Sequence, residues 1–371
     1  MTPWQAAKIG DPVQAIDTPA LILDLAPFER NLQRMALALQ GSAVRLRAHA
    51  KSHKCPEIAR RQLALGAVGI CCQKVSEAAV FVAAGILDIV ITNQVVGAPK
   101  LLHVAALARQ ARIGVLVDGP EQIAALAEVA QAQQVRFDVY VEVNVGSNRC
   151  GTAPGEAAAQ LAQQIAAAPT LHFAGLQCYH GSAQHYRQPA ERAAAIALTC
   201  DAARETRAAI ERLGIRVEQI MGAGTGSFQH ERDSGIFTEI QAGSYIFMDR
   251  DYAANVRAAG ELVFEHALFI LTTVMSRVEP SRAIVDAGLK ASSVDSGMPG
   301  VWQRDDLQYV KASDEHGVIN TPAAESLSLG ERLRLVPGHC DPTVNLYDEI
   351  ICVRDNQVEA IWSVAARGAL L

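Results

Sequence analysis

Extended apolar runs and helical patterns alternate through the first two-thirds of this chain, and that alternation is its tightest constraint. A strand that feeds a helix and then another strand runs parallel to its neighbour through a right-handed crossover. An extended run at 20–25 precedes a helix predicted over 27–40, where Phe28, Leu32, Met35 and Leu39 recur at helical spacing. Eight further strands are predicted, at 45–50, 69–72, 88–92, 113–118, 137–144, 172–179, 218–221 and 239–242. The stretches between them are rich in Ala, Leu, Gln and Glu, which are good helix formers. Eight such units in roughly 200 residues fit a closed (β/α)8 barrel. A doubly wound open sheet is the competing arrangement, but no glycine-rich dinucleotide fingerprint follows an early strand.

Beyond about Tyr252 the period changes. Short extended runs at 267–275, 282–286, 307–311, 332–336, 350–353 and 358–364 are separated by Gly, Pro, Asp and Asn, with no long helical pattern between them. The chain is therefore expected to be α/β, with a barrel over 27–255 and an all-β domain over 256–371. Residues 1–26 are expected to pack on the β domain, where strand 20–25 finds a partner. Half of the 371 residues are apolar and the net charge is −6, so a packed core is assured and a general nucleic-acid role is excluded. Apolar runs such as 78–87 fall short of the roughly 20 residues that span a bilayer. The N-terminus shows neither a basic region nor an apolar one of signal-peptide type. Eight cysteines, two of them adjacent, do not make a disulfide framework. A soluble, cytoplasmic enzyme is expected.

Catalytic groups of a parallel barrel lie beyond the C-terminal strand ends. Those positions hold His49, Lys51 and His53, then Gln73, Asn93, Asp118, Arg149, Tyr179 and His180. The run Gly222-Ala-Gly-Thr-Gly-Ser227 follows the seventh barrel strand, and Gly243-Ser-Tyr245 the eighth. A lysine at such a strand end loses solvation, lowers its pKa and is able to form a Schiff base, although an isolated lysine is more often part of a solvated basic patch. Glycines at Gly224 and Gly226, with the Thr225 and Ser227 hydroxyls, suit an anion, and the fold offers a phosphate site there; a plain tight turn is the alternative. Lysine and phosphate cradle across one barrel mouth would suit pyridoxal 5′-phosphate.

In the β domain, Pro337-Gly-His-Cys-Asp-Pro342 places His339 and Asp341 two residues apart. On an extended backbone both side chains point the same way and would ligate one divalent ion, with Cys340 on the opposite side. An ordinary turn is the alternative. Mixed N/O ligation favours Mn2+, Co2+, Mg2+ or Zn2+ over a thiolate zinc site. His185, on the loop after the sixth barrel strand, is a candidate general base or a plain surface histidine. Asp314-Glu-His-Gly317 reads equally as a metal cluster and as a hairpin turn.

Together these motifs resemble the metal-activated, fold-type III pyridoxal-phosphate enzymes of D-3-hydroxy amino acids, a family of D-threonine aldolases, D-3-hydroxyaspartate aldolases and eukaryotic-type D-serine dehydratases. The resemblance runs nearly end to end. It includes Asp17-Thr-Pro, Ala48-His-Ala-Lys51-Ser-His-Lys, Arg149-Cys-Gly151, Tyr179-His-Gly-Ser182, Gly224-Thr-Gly-Ser227, Gln241-Ala-Gly-Ser-Tyr245, Asp286-Ala-Gly-Leu-Lys290 and Pro337-Gly-His-Cys-Asp341. It implies an alanine-racemase-like barrel with a β domain, usually dimeric. Lys51 would then be the Schiff-base lysine, with Arg149 and Tyr179 on the pyridoxal ring and Gln73 nearby. Gly224, Thr225, Gly226, Gly243, Ser244 and Tyr245 would hold the phosphate, and His339 and Asp341 the metal, with Mn2+ ranked first. Ala48 departs from the proline usual in the family. The dehydratases carry His-x-Cys at the metal pair, so Asp341 favours the aldolase branch. The expected reaction is retro-aldol cleavage of a D-3-hydroxy amino acid, D-threonine first, to glycine and an aldehyde, with His185 removing the hydroxyl proton. D-3-Hydroxyaspartate is the alternative substrate; its second carboxylate would want a cation such as Arg250, Arg304 or Lys311. A dehydratase rank lower, as do a racemase using Tyr347 as second acid/base and a pyridoxal-phosphate homeostasis protein, which lacks a β domain.

Overall fold

Eight parallel strands close on themselves in the computed structural model, which describes residues 5–279, 281–321 and 327–371. The first strand is β1 (Ala20–Asp24), whose last residue caps the helix Leu25–Leu39 by accepting from the Ala26 N–H. That cap starts the helix two residues before the expected 27. The barrel follows as β2 (Arg45–His49), β3 (Gly69–Cys72), β4 (Asp88–Gln94), β5 (Arg112–Val117), β6 (Phe137–Glu142), β7 (Leu171–Cys178), β8 (Gln219–Gly222) and β9 (Glu239–Ile240). Closure comes from β2 beside β9, with Arg45 opposite Glu239 and Leu46 opposite Ile240, which excludes the open sheet.

Alternate residues of these strands fill the barrel in layers. Cys71, Val90, Leu116, Tyr140, Ala174 and Met221 make an apolar plug. Towards the N-terminal mouth lies a charged layer. There the buried Arg47 donates to Glu239 (2.7 Å) and Asp88 (2.5 Å), and Glu239 also takes Arg45 (3.0 Å). Removing one partner of a buried pair strands the other charge, at a cost of roughly 3–5 kcal/mol. Arg47→Met is thus expected to lower the unfolding free energy measured in urea by about that amount, and a transition within error of the parent would refute the assignment.

The second layer is a sheet built from both chain ends. It contains β10 (Leu268–Glu279), β11 (Arg282–Val285), β12 (Gly300–Val301), β13 (Gln308–Ala312), β14 (Gly317–Asn320), β15 (Arg332–Val336), β16 (Glu349–Arg354) and β17 (Gln357–Ser363). The surplus strand β1 pairs antiparallel with β10 (Ala20 opposite Leu271) and parallel with β16 (Ile22 opposite Ile351). One continuous apolar cluster runs from this sheet, through Leu268, Ile270 and Leu335, to Leu46 and Ile240 of the barrel. Residues 1–4, part of the segment expected to pack on the sheet, lie outside the described residues. The segment 314–317 leads from β13 into β14 as a tight turn, closed by Ser313 N–H to His316 O (2.8 Å), and Glu315 pairs with Lys290. It is a hairpin, not a metal cluster. One short helix, Cys340–Val344, interrupts the expected all-β pattern.

Candidate active site

A cavity of about 390 Å3 opens where the barrel strands end, within the usual range of ligand sites. Its floor comes from His49, Thr92, Glu142, Gln177 and Gln241, each within two residues of the C-terminal end of a strand. The two glutamines bond reciprocally (2.7 and 2.9 Å). His49 is buried, and burial holds its imidazole well below the usual value, so it is neutral. Its Nε2 meets the Thr92 hydroxyl at 3.0 Å and the Gln73 amide at 3.3 Å.

Lys51 follows β2 on a single 3-10 turn, Ala50–Ser52, and its Nζ is 3.2 Å from Asp341 Oδ2. The expected depression of its pKa is reversed here. The Asp341 charge outweighs desolvation and raises it. Asp341 in turn loses solvation, yet the Lys51 and His339 charges hold it down at about 2. Arg149 stands with its guanidinium carbon 6.0 Å from the Tyr179 ring centre, and both line the cavity.

The glycine-rich loop divides between site and scaffold. Gly224 and Thr225 line the cavity, and the buried Thr225 hydroxyl has no hydrogen-bond partner among the described residues. Gly226, Ser227 and Tyr245 do not line it. Gly226 N–H donates to Gln184 (3.0 Å), Ser227 bonds Glu231 (2.8 Å) and Gln184 (2.7 Å), and the Tyr245 hydroxyl accepts from Gln62 (3.2 Å). The side chains of Ser227 and Tyr245 thus brace the loops from behind rather than facing a ligand. Gly243 and Ser244 do face the cavity. A Cβ at Gly243 would lie 2.5 Å from Ser52 Oγ, so glycine lets this loop close on the Lys51 turn.

Burial lifts the Glu231 carboxyl, bonded to Ser227, to about 7. A carboxyl whose folded pKa is raised stabilises the fold fully below its unfolded value and loses that contribution as pH rises through about 7. Glu231→Gln is therefore expected to flatten the fall in stability between pH 5 and 8, by up to roughly 3 kcal/mol. Parallel urea midpoints for parent and variant at the two pH values would contradict this.

His339 and Asp341 both line the cavity, but not on an extended backbone as expected. His339 is the extended residue before the helix Cys340–Val344, and Asp341 sits in its first turn. Pro342 explains the difference, because its missing N–H costs nothing in a first helical turn. Cys340 is buried and does not line the cavity; its Sγ donates to the Met248 carbonyl. His339 Nδ1 is 2.8 Å from Asp295, which leaves Nε2 as its free nitrogen. His185 also lines the cavity, with Nδ1 2.5 Å from Asp251 Oδ2. Asp295 and Asp251 carry no local motif and escape a sequence reading. Among the described residues one further trio of potential ligands converges, Asp118, Cys150 and the floor residue Glu142, and its carboxylates already accept from Gln94, Gln122 and Gly151.

These features fit both groups named in the sequence reading. The orphaned Thr225 hydroxyl and the Lys51 amine share one cavity, as a phosphate-bearing aldehyde needs. One free imidazole nitrogen and one carboxylate, His339 and Asp341, suit a borderline or hard divalent ion.

Barrel and sheet together define an alanine-racemase-type fold. The family model for the alanine racemase N-terminal domain matches residues 23–251, and that for a putative serine dehydratase domain matches 267–353. At the level of whole chains the likeness is closer. The chain is 50% identical to a D-threonine aldolase of Arthrobacter sp, over 98% of this chain and 96% of that one. It is 44% identical to a 3-hydroxy-D-aspartate aldolase of Paracoccus denitrificans, over 95% and 92%. The crystal structure of D-threonine aldolase from Filomicrobium marinum superposes with a TM-score of 0.98 at 50% identity, covering 99% of this chain and 100% of that one. The chain belongs to this family of D-threonine and 3-hydroxy-D-aspartate aldolases. Among the described residues no helix is long and apolar enough to cross a membrane.

Proposed function

We propose that the protein is a D-threonine aldolase dependent on pyridoxal 5′-phosphate and a divalent ion, Mn2+ first among Mg2+, Co2+ and Zn2+. The observation that carries the reading is the single cavity in which Lys51, Asp341, His339 and His185 converge. Lys51 would hold the cofactor covalently, and Thr225, Gly224, Gly243 and Ser244 would surround its phosphate. Arg149 and Tyr179 would flank the ring, with Gln73 nearby, beside His49. Gly226, Ser227 and Tyr245 would act through the loop backbone. When bound, the cofactor would supply an electron sink for the Cα–Cβ bond, and the ion on His339 and Asp341 a Lewis acid for the β-hydroxyl. His185 would accept the hydroxyl proton, and the walls formed by Tyr179 and Tyr252 would limit water at the reacting carbon. A homodimer and a cytoplasmic setting complete the reading; the family likeness supports the first and eight unpaired cysteines the second.

The alternative substrates have less support. Arg250 donates to the Met298 carbonyl, Arg304 pairs with Asp306, and Lys311 lies on β13; none lines the cavity, which disfavours a second substrate carboxylate. Tyr347 donates to the Ala291 carbonyl (2.7 Å) and does not line the cavity, which disfavours a racemase. Incubation with pyridoxal phosphate, Mn2+ and D-threonine is expected to yield glycine and acetaldehyde, faster than D-3-hydroxyaspartate yields glyoxylate. L-Threonine or 2-oxobutanoate as the main product, or a preference for D-3-hydroxyaspartate, would overturn the reading.

A further inference from the structure

We propose that Asp251 is the positioning residue of the base: with His185 it forms a carboxylate–imidazole dyad that leaves Nε2 to take the substrate hydroxyl proton. The proposal deepens the reading above and rests on His185 being that base. His185 ends the 3-10 turn Ser182–His185, and its side chain is 47% exposed, whereas that of Asp251 is 7% exposed. The carboxylate therefore grips the ring from the protein side. Nδ1 is occupied at 2.5 Å, so Nε2 is the nitrogen left for chemistry. The ring also packs against Tyr252, centroid to centroid 5.8 Å.

Asp251 is itself held in place. Arg187 donates to its carboxylate, to its carbonyl (2.6 Å) and to Asn255 Oδ1 (2.7 Å). The same stretch also grips the loop that carries His339 and Asp341. Asp251 N–H donates to Gly338 O (3.2 Å), Arg250 N–H to Pro337 O (3.0 Å), and Cys340 N–H to Asp249 Oδ2 (3.0 Å). Residues 249–251 thus register the base against the proposed metal pair.

A carboxylate on Nδ1 fixes the tautomer and orientation of an imidazole and stabilises the imidazolium that forms. The hydroxyl proton passes to Nε2, and the oxygen's electron pair becomes the aldehyde C=O as the Cα–Cβ bond breaks. The pair from that bond stays with the glycine carbon, which takes a solvent proton, and His185 releases its own to water. Asp251 stays ionised throughout.

The test is a double-mutant cycle on enzyme loaded with pyridoxal phosphate and Mn2+. His185→Gln, Asp251→Asn and the pair are compared in kcat and KM for D-threonine, with cofactor absorbance and thermal midpoint as controls. His185→Gln is expected to lower kcat by about 10²–10⁴-fold. Asp251→Asn should lower kcat at least ~10-fold with KM nearly unchanged, the pair should be no slower than His185→Gln, and Asp251→Glu should recover part of the loss. Arg187→Gln serves as a second variant should Asp251→Asn not fold: its loss in kcat should vanish when residue 185 is glutamine. Losses that multiply in the pair, or a parental kcat for Asp251→Asn, overturn the dyad while leaving His185 as base. A parental kcat for His185→Gln removes the base itself and the dyad with it, whereas acetaldehyde formation still reports the aldolase reading separately.

Discussion

Lys51→Ala is expected to lower D-threonine cleavage by at least ~10⁴-fold and to erase the visible absorbance of the cofactor's bond to lysine. No other lysine lines the cavity among the described residues. Lys54, three residues on, is buried and turned away, with Nζ towards the Ala366 carbonyl (3.4 Å) and Glu77 (3.9 Å), so it is not placed to substitute. The phosphate side of the cavity, Thr225, Gly224 and Gly243, is untouched by the change. The variant should therefore still bind pyridoxal phosphate reversibly, with the spectrum of the free aldehyde. An unchanged spectrum together with an unchanged rate would refute the role of Lys51. Partial rescue by added methylamine, which supplies an amine without the tether, would localise the defect to Nζ rather than to the loop.

The barrel was legible because most of its strands, such as 89–91 in β4 and 113–117 in β5, are short apolar runs that alternate with stretches of good helix formers, and burial on both faces suits such runs. Lys51 was legible for a related reason: it lies two residues beyond a run that ends in His49, and strand ends are where the site must form. What sequence could not show were contacts made across the fold. Ser227 and Tyr245 are turned from the ligand side by Gln184 and Gln62, and nothing local announces those glutamines as partners. Asp251 and Asp295, which hold His185 and His339, come from other loops altogether. The direction of the Lys51 shift was missed because desolvation was weighed without Asp341, a carboxylate brought in from the other domain. The backbone at His339 and Asp341 departs from the expected extended form for a local reason: Pro342 sits in the first turn of a helix, where its missing N–H is no loss.

Chelation is expected to reduce turnover at least ~100-fold while leaving the cofactor in place, because the two groups have different holders. Lys51, Thr225 and Gly243 belong to the barrel, whereas His339 and Asp341 come from the segment after β15. Dialysis against a chelator should thus abolish acetaldehyde release, preserve the visible absorbance, and be reversed by Mn2+; full activity in chelator would end the metal assignment. Charge decides which variant probes the pair most cleanly. With Asp341 held at about 2, its carboxylate is an anion at any working pH, so Asp341→Asn removes one ligand charge without altering shape. That variant should need much more Mn2+ for half-maximal activity, with little change in cofactor affinity. Asp341→Cys exchanges the hard oxygen for a soft thiolate at the same position. It should move the metal preference from Mn2+ towards Zn2+, and an unaltered preference would show that Asp341 does not touch the ion.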